Sequence, residues 1–331
     1  MQSTLRLHQS AIKTHPLAGV LPAAGPAPEV AGHDELLARM LGSWDLEKRY
    51  ISVGDGSPEG RFPAEWHFGR AAGGRSIQDV LITRKPNGDL VGYGSTLRSY
   101  DEGRQRLVDD LAGSGRRPIQ RPARADRRGM AGARLSDDGG EHWLTGLVME
   151  GTRVGSATDG IDLEAPLPLP YLLADRPAAG LEADLATFGW LVGSWDVRVR
   201  SLGSEDEEPL TGEWHFGWVL EGRSIEDVLI VSGANGSPRA FNVSIRTFDH
   251  RAGRWWIVRQ DALAGEFSIS LAWPRDEGIS TEGQWRLGDT IPFRSRFFGI
   301  AEDAFKFEKE IFVDGSWQRL QTIDAIRRVA A

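Results

Sequence analysis

A small set of side chains in the second half of this sequence has types and spacing that can do chemistry. In Glu213-Trp214-His215-Phe216-Gly217-Trp218 an extended chain sends Glu213 and His215 to one face and Trp214, Phe216 and Trp218 to the other. With the polar face inside a closed structure, the carboxylate and imidazole can transfer a proton or titrate near neutrality. With the aromatic face inside, the same two residues are plain surface. A second stretch puts Arg223, Ile225, Asp227 and Leu229 on one face. A buried Arg and Asp must be matched in charge. Arg223 therefore bridges Asp227 or Glu213 at the end of the structure, or it anchors a ligand carboxylate or carbonyl. Glu213, His215 and Asp227 are the catalytic candidates; Trp214, His215, Arg223, Asp227 and Trp256 are the candidate ligand contacts. Nine of the twelve tryptophans lie after residue 184. They supply either core packing or a ligand wall.

Other chemistries lack a signal. His215 is the one strand histidine that can serve as an axial haem ligand, and a lone strand histidine is more often structural. No metal-binding spacing, glycine-rich phosphate loop or nucleophile elbow is present, so the expectation is no metal and no cofactor. With no cysteine, disulfides and thiolate sites are excluded. A net charge of −8 argues against nucleic acid or an anionic membrane as partner. No apolar run approaches the ~20 residues of a membrane helix. The expectation is a cytoplasmic protein, with self-association left open.

The elements that position these residues follow from an internal repeat. Glu65 to Thr83 aligns without a gap to Glu213 to Val231, with thirteen of nineteen positions identical. Upstream, Leu41 to Tyr50 matches the stretch that starts at Val192. Period-two apolar spacing between turn signals such as ANGSP, RAGR and VDGS predicts ten antiparallel strands between Trp195 and Arg328. The fold class expected is all-β: two tandem antiparallel up-and-down β-barrels, the first incomplete, with a β-sandwich as alternative.

Residues 1–33 read as a flexible leader, with a transit peptide as alternative; 34–154 as the first repeat; 155–183 as a proline-rich linker that hinges the two; and 184–331 as the second, complete repeat. Within the first repeat, residues 104–135 break the pattern. Arg104 to Arg134 holds nine arginines, no aromatic residue and no period of two. Read one nucleotide later in G/C-rich codons, Leu107-Val108 becomes Trp-Trp, at the place of Trp255-Trp256 in the second repeat. A deletion with a frame change accounts for this better than an arginine-rich loop. The first barrel should then lack several strands and expose edges.

The constellation G-S-W-D, E-W-H-F-G and G-R-S-I-x-D-V-L-I, present in both repeats, resembles a group of bacterial domains of lipocalin-like, or calycin, architecture. The G-x-W opening is similar to that of lipocalins and of nitrobindin-like haem barrels, where the tryptophan plugs the closed end. The resemblance implies a cavity-bearing barrel and no particular chemistry. Three functions remain in play: binding of a small hydrophobic or aromatic molecule in the second barrel; a cofactor-free isomerase, cyclase or hydratase using Glu213, His215 and Asp227; or a structural or partner-binding module.

Overall fold

The computed structural model describes residues 9–30, 38–50, 60–101, 106–112, 130–135, 144–154, 167–201, 208–233, 235–250, 252–276, 278–286 and 289–328. The chain is almost entirely antiparallel sheet. Seven strands form an N-terminal sheet: β1 (Gly42–Tyr50), β2 (Gly60–Ala71), β3 (Ser76–Arg84), β4 (Leu90–Asp101), β5 (Arg106–Ala112), β6 (Met130–Leu135) and β7 (Leu144–Val154), in the order β5-β4-β3-β2-β1-β7-β6. After the two-residue β8 (Leu173–Ala174) come the ten strands of a closed barrel. These are β9 (Gly193–Ser201), β10 (Leu210–Val219), β11 (Ser224–Ser232), β12 (Pro238–Asp249), β13 (Arg254–Asp261), β14 (Glu266–Arg275), β15 (Gly278–Gln284), β16 (Pro292–Phe298), β17 (Ala304–Val313) and β18 (Ser316–Arg327). Each strand pairs with the next, and β18 returns to β9, so the barrel has no free edge. No helix among the described residues is long and apolar enough to cross a membrane.

The sheet follows the barrel's plan and stops short of closing. Its order β5-β4-β3-β2-β1-β7-β6 runs as β13-β12-β11-β10-β9-β18-β17 does, with no counterpart of β14, β15 and β16 among the described residues. The registers agree as well: Phe68 faces Asp79 and Trp44 faces Trp66 in the sheet, while Phe216 faces Asp227 and Trp195 faces Trp214 in the barrel. Among the described residues β5 and β6 each pair with a strand on one side only. Two strands nevertheless form inside the 104–135 region expected to be aberrant: β5 and β6. The rest of that region, residues 104–105 and 113–129, lies outside the described residues.

The leader and the linker are built into the fold. The leader's first helix, α1 (Gln9–Thr14), is followed by a segment that buries Leu17 and Leu21 completely. The linker's α2 (Leu169–Leu172) buries Leu172, and β8 pairs with Trp218 and Val219 of β10. Each segment runs past the turn between two strands, where Ala72 N donates to Leu21 O and Leu220 N donates to Leu172 O. Here the glycine of the shared G-R-S motif is required. Gly74 (φ 84°) and Gly222 (φ 74°) hold left-handed backbone, and a Cβ at either would sit about 2 Å from the carbonyl oxygen of Gly25 or Arg176. The apolar residues within the proline-rich stretches, not a period, carry this packing, which is why neither segment announces itself as structure.

Sheet and barrel meet through their outer faces. Val80, Ile82 and Leu97 of the sheet share one buried cluster with Val228, Val243, Ile245, Val258 and Phe267 of the barrel, together with Leu17, Leu21, Leu172 and Leu173. Polar bonds cross within it: Gln78 Nε2 donates to Glu226 Oε2 (3.1 Å) and Gln260 Nε2 to Ser76 Oγ (2.5 Å). A linker that merely hinged two independent domains would not leave these faces buried. The apolar area on both faces, removed from water only by docking, holds them together.

Candidate functional site

The registers fix which side of the barrel wall is inside. Trp195, Val197 and Val199 of β9, Trp214, Phe216 and Trp218 of β10, and Ile225 and Leu229 of β11 belong to one cluster with Trp255, Phe297, Phe305 and Ile323 from across the barrel. The aromatic face is therefore the inner one. The closed end is plugged by α3 (Glu182–Gly189), whose Phe188 is fully buried edge-on to Trp255 (5.0 Å) and Phe297 (5.9 Å). Arg327 seals it: its guanidinium lies 4.1 Å from the Trp195 ring centroid, and its terminal nitrogens donate to Val192 O (3.0 Å) and Trp190 O (2.8 Å).

Asp227 sits in this aromatic end, and its partner is Arg246 of β12, not Arg223. Arg246 Nη1 donates to Asp227 Oδ2, Trp214 Nε1 donates to Oδ1 (2.5 Å), and the guanidinium lies 5.3 Å from both the Phe188 and Phe216 rings. Both charges are buried and meet each other, while Arg246 Nε has no hydrogen-bond partner among the described residues. Arg223 is exposed in the turn before β11, and the expected bridges from it to Asp227 or Glu213 are absent because the turn carries it off the strand's inner face. Trp256, offered as a ligand contact, is likewise on the outside and 40% exposed.

Glu213 and His215 face outward. The Glu213 carboxylate can only accept, so in the neutral ring His215 Nε2 donates to it (2.9 Å) and Nδ1 accepts from the Ser194 hydroxyl (2.9 Å). Arg328 bridges Glu213 (2.8 Å) and Asp196, and these bonds hold the Glu213 carboxyl below the usual range. Both ring nitrogens of His215 are thus committed to side chains on the outer wall. Glu213 and His215 stand on the opposite side of the sheet from Asp227, so the three proposed acid–base residues share no space. His215 is nonetheless buried, because the outer wall of β10 is covered: His15 of the leader places its Nε2 3.1 Å from Ala174 O and 3.2 Å from Trp218 O.

The other end of the barrel interior was not singled out by the sequence and differs in kind. The inward wall of β14, β15 and β16 carries the small residues Ser268, Ser270, Ala272, Thr281, Gly283 and Ser295, as the pairings Ser270↔Gly283, Ala272↔Thr281 and Thr281↔Ser295 require, in the same rows as the larger Ile279, Phe293 and Phe297. Over these small residues lie Lys309 of β17 and Arg259 of β13. The Lys309 ammonium is buried 4.7 Å from the Trp285 ring and 4.7 Å from the Phe293 ring. Burial first, and then the Arg259 cation, push this amine well below the lysine range, with Asp261 opposing. Arg259 donates to Asn242 Oδ1 (2.5 Å) and approaches Asp261 (3.7 Å); at the rim Arg286 meets Glu266 (2.7 Å). The Thr281 hydroxyl is buried without a hydrogen-bond partner. A signal for this end exists in the sequence. Lys309 continues the inward series Phe305, Phe307, and Arg259 continues Trp255, Ile257, as period two demands.

No protein-family model matches the chain, and no curated protein does. Among solved structures, a protein of unknown function from the DUF3598 family of Nostoc punctiforme aligns over 88% of this chain and 97% of its own, at 14% identity and a TM-score of 0.28. A double mutant of transferrin binding protein B from Haemophilus parasuis Hp5 aligns over 88% of this chain and 76% of its own, at 8% identity and a TM-score of 0.14.

Proposed function

We propose that the C-terminal barrel binds a small organic molecule with an apolar or aromatic body, held in the half of its interior beneath Trp285 and Phe293. The observation that carries this reading is the wall of small inward residues on β14–β16. Eight strands already enclose an interior that side chains can just fill or that takes one small ligand, and diameter grows with strand number. Serine, threonine, glycine and alanine along three of the ten strands fill less of the interior than the aromatic residues of the other end do, and Lys309, Arg259, Trp285 and Phe293 border them. Lys309 and Arg259 supply the polar end that Arg223 and His215 were expected to supply, and a ligand carbonyl is what a guanidinium beside a buried amine favours. The lipocalin-like assignment and the origin of the sheet and barrel as tandem repeats of one domain fit this reading. So does a cytoplasmic protein without nucleic acid, membrane or cofactor.

The test is quenching of intrinsic tryptophan fluorescence by cinnamyl alcohol and cinnamate, with Trp285 replaced by Phe as control. Saturable quenching that weakens in the control is expected. A flat response to both compounds would sink the proposal. A second reading, a partner-binding module, rests on β5 and β6, which among the described residues pair on one side only and offer a template for strand addition. Self-association through these edges would appear as a concentration-dependent mass in sedimentation, abolished by a proline placed in β5.

A further inference from the structure

We infer that Lys309 is a nucleophile that captures aldehydes, so that the ligand of the C-terminal barrel is an aromatic or unsaturated aldehyde bound as an imine. The inference rests on the proposed binding reading and names its substrate class.

Four observations of geometry converge on this lysine. Lys309 is buried on the inner wall of a closed barrel, where a lysine without a purpose is costly, because long charged side chains are almost never fully buried unless paired. Its nitrogen lies 4.7 Å from each of two aromatic rings rather than against a carboxylate, so no counter-ion offsets the loss of water, and the rings offer a surface for a flat conjugated body. A β-bulge falls between Lys309 and Glu310, the irregularity that re-aims a side chain within a ladder. Finally, Lys309 faces Ser295, which in turn faces Thr281, so that one row across β15, β16 and β17 carries an amine and two hydroxyls, one of them unsatisfied. A buried hydroxyl without a partner marks a place where a water or a ligand oxygen belongs. The neighbouring Arg259 cation disfavours protonation of the amine, the arrangement by which buried lysines are activated.

The step balances without a co-reactant. The Nζ lone pair attacks the aldehyde carbon, the N–C bond forms, and the carbonyl oxygen takes up the proton that nitrogen releases, with the Ser295 and Thr281 hydroxyls placed to relay it. The carbinolamine then loses its oxygen with a second nitrogen proton as water, leaving a C=N bond. Nothing is oxidised or reduced. The rings of Trp285 and Phe293 cover the imine and keep bulk water, which would reverse the reaction, from its carbon.

The experiment uses the full-length chain with cinnamaldehyde at pH 7, reduction by cyanoborohydride, and peptide mapping by mass spectrometry. Cinnamyl alcohol, which has the same body and cannot form an imine, reports non-covalent binding in parallel through tryptophan quenching. A single adduct on Lys309, formed at least ~10-fold faster than on the exposed Lys306, is expected. Lys309→Met should lose the adduct, and so should Lys309→Arg, which keeps a long cationic side chain at the same place and so separates loss of the nucleophile from loss of packing. Labelling of Lys306 and other exposed lysines at the same rate as Lys309 overturns the inference. So does the absence of any adduct while the alcohol still binds, an outcome that leaves the binding reading standing. Absence of both adduct and alcohol binding overturns the two together.

Discussion

The N-terminal sheet and the C-terminal barrel hold the same residues at the same registers and differ in what those residues enclose. In the sheet, Arg98 meets Asp79 and lies 5.8 Å from the Trp66 ring and 5.5 Å from the Phe68 ring. In the barrel, Arg246 meets Asp227 beside Trp214 and Phe216. Ser43 and Glu65 flank His67 as Ser194 and Glu213 flank His215. The three strands with no counterpart among the sheet's described residues, β14–β16, are the ones that carry the small inward residues and the rim. Residues common to both halves thus build the closed end and the docking of leader and linker. A function that requires an interior belongs to residues the barrel alone contains, and Lys309, Arg259, Trp285 and Phe293 are among them.

The largest expected effect separates the two buried ion pairs. Arg246→Met should cost about 3–5 kcal/mol in urea unfolding, because it strands Asp227 in a low-dielectric interior. Adding Asp227→Leu should recover most of that loss, since a buried pair exchanged for apolar groups is close to neutral. The matching Arg98→Met should cost less, as the Arg98 side chain is 12% exposed against 5% for Arg246. Equal losses would mean that the sheet encloses its pair as fully as the barrel does.

Next in size is the interface carboxyl. Glu226 in the barrel stands where the aligned sheet sequence has Gln78, and the two side chains meet. Burial first raises the Glu226 carboxyl to about 8, the Asp227 charge adds to this, and the Gln78 bond opposes it. A raised acid binds more protons folded than unfolded, so its contribution is intact below the ordinary carboxylate range near 4.5 and is lost as the pH rises through about 8. Glu226→Gln should therefore stabilise the chain on the order of 3 kcal/mol at pH 9 and have little effect at pH 4. Thermal melts of both proteins across that range measure it. A difference that does not grow with pH would show that the carboxyl is hydrated and the two faces part readily. Smaller again is Gly222→Ala, which should cost about 2 kcal/mol through left-handed backbone and the Arg176 carbonyl, with Gly74→Ala matching it if both straps carry equal weight.

Much of the barrel is legible in the sequence, because turn chemistry and period two act locally. Each of the ten strands predicted after residue 184 forms, with ends within about three residues, since ANGSP, RAGR and VDGS close hairpins without help from distant contacts. The inside of the wall is not legible from Glu213 to Trp218, because β10 is buried on both faces along that stretch. Alternation predicts one wet face, and the leader covers it with His15 and Leu17, beside Leu172 of the linker at the strand's end, in stretches whose proline-rich context has no period. Arg246 was missed as the partner of Asp227 because strand pairing across a hairpin, not proximity in sequence, brings it there. Lys309 lies in Lys306-Phe307-Glu308-Lys309-Glu310, which reads as a solvated charge run until the inward series from Phe305 is counted through it.

The smallest expected effect bears on where the site is. Arg223→Ala and Trp256→Gln alter residues that the sequence nominates and the fold exposes, so each should shift stability by less than ~0.5 kcal/mol. Neither should change the affinity for cinnamyl alcohol. Trp256 touches the barrel only through its outer face, where its indole nitrogen reaches Asp249 (3.4 Å). Trp285→Phe, by contrast, removes indole surface from the ring pair around Lys309 and should weaken that affinity several-fold with the fold unchanged. If Arg223→Ala or Trp256→Gln weakens binding as much as Trp285→Phe, the ligand lies on the outer wall. The residues shared with the sheet would then regain their claim to the site.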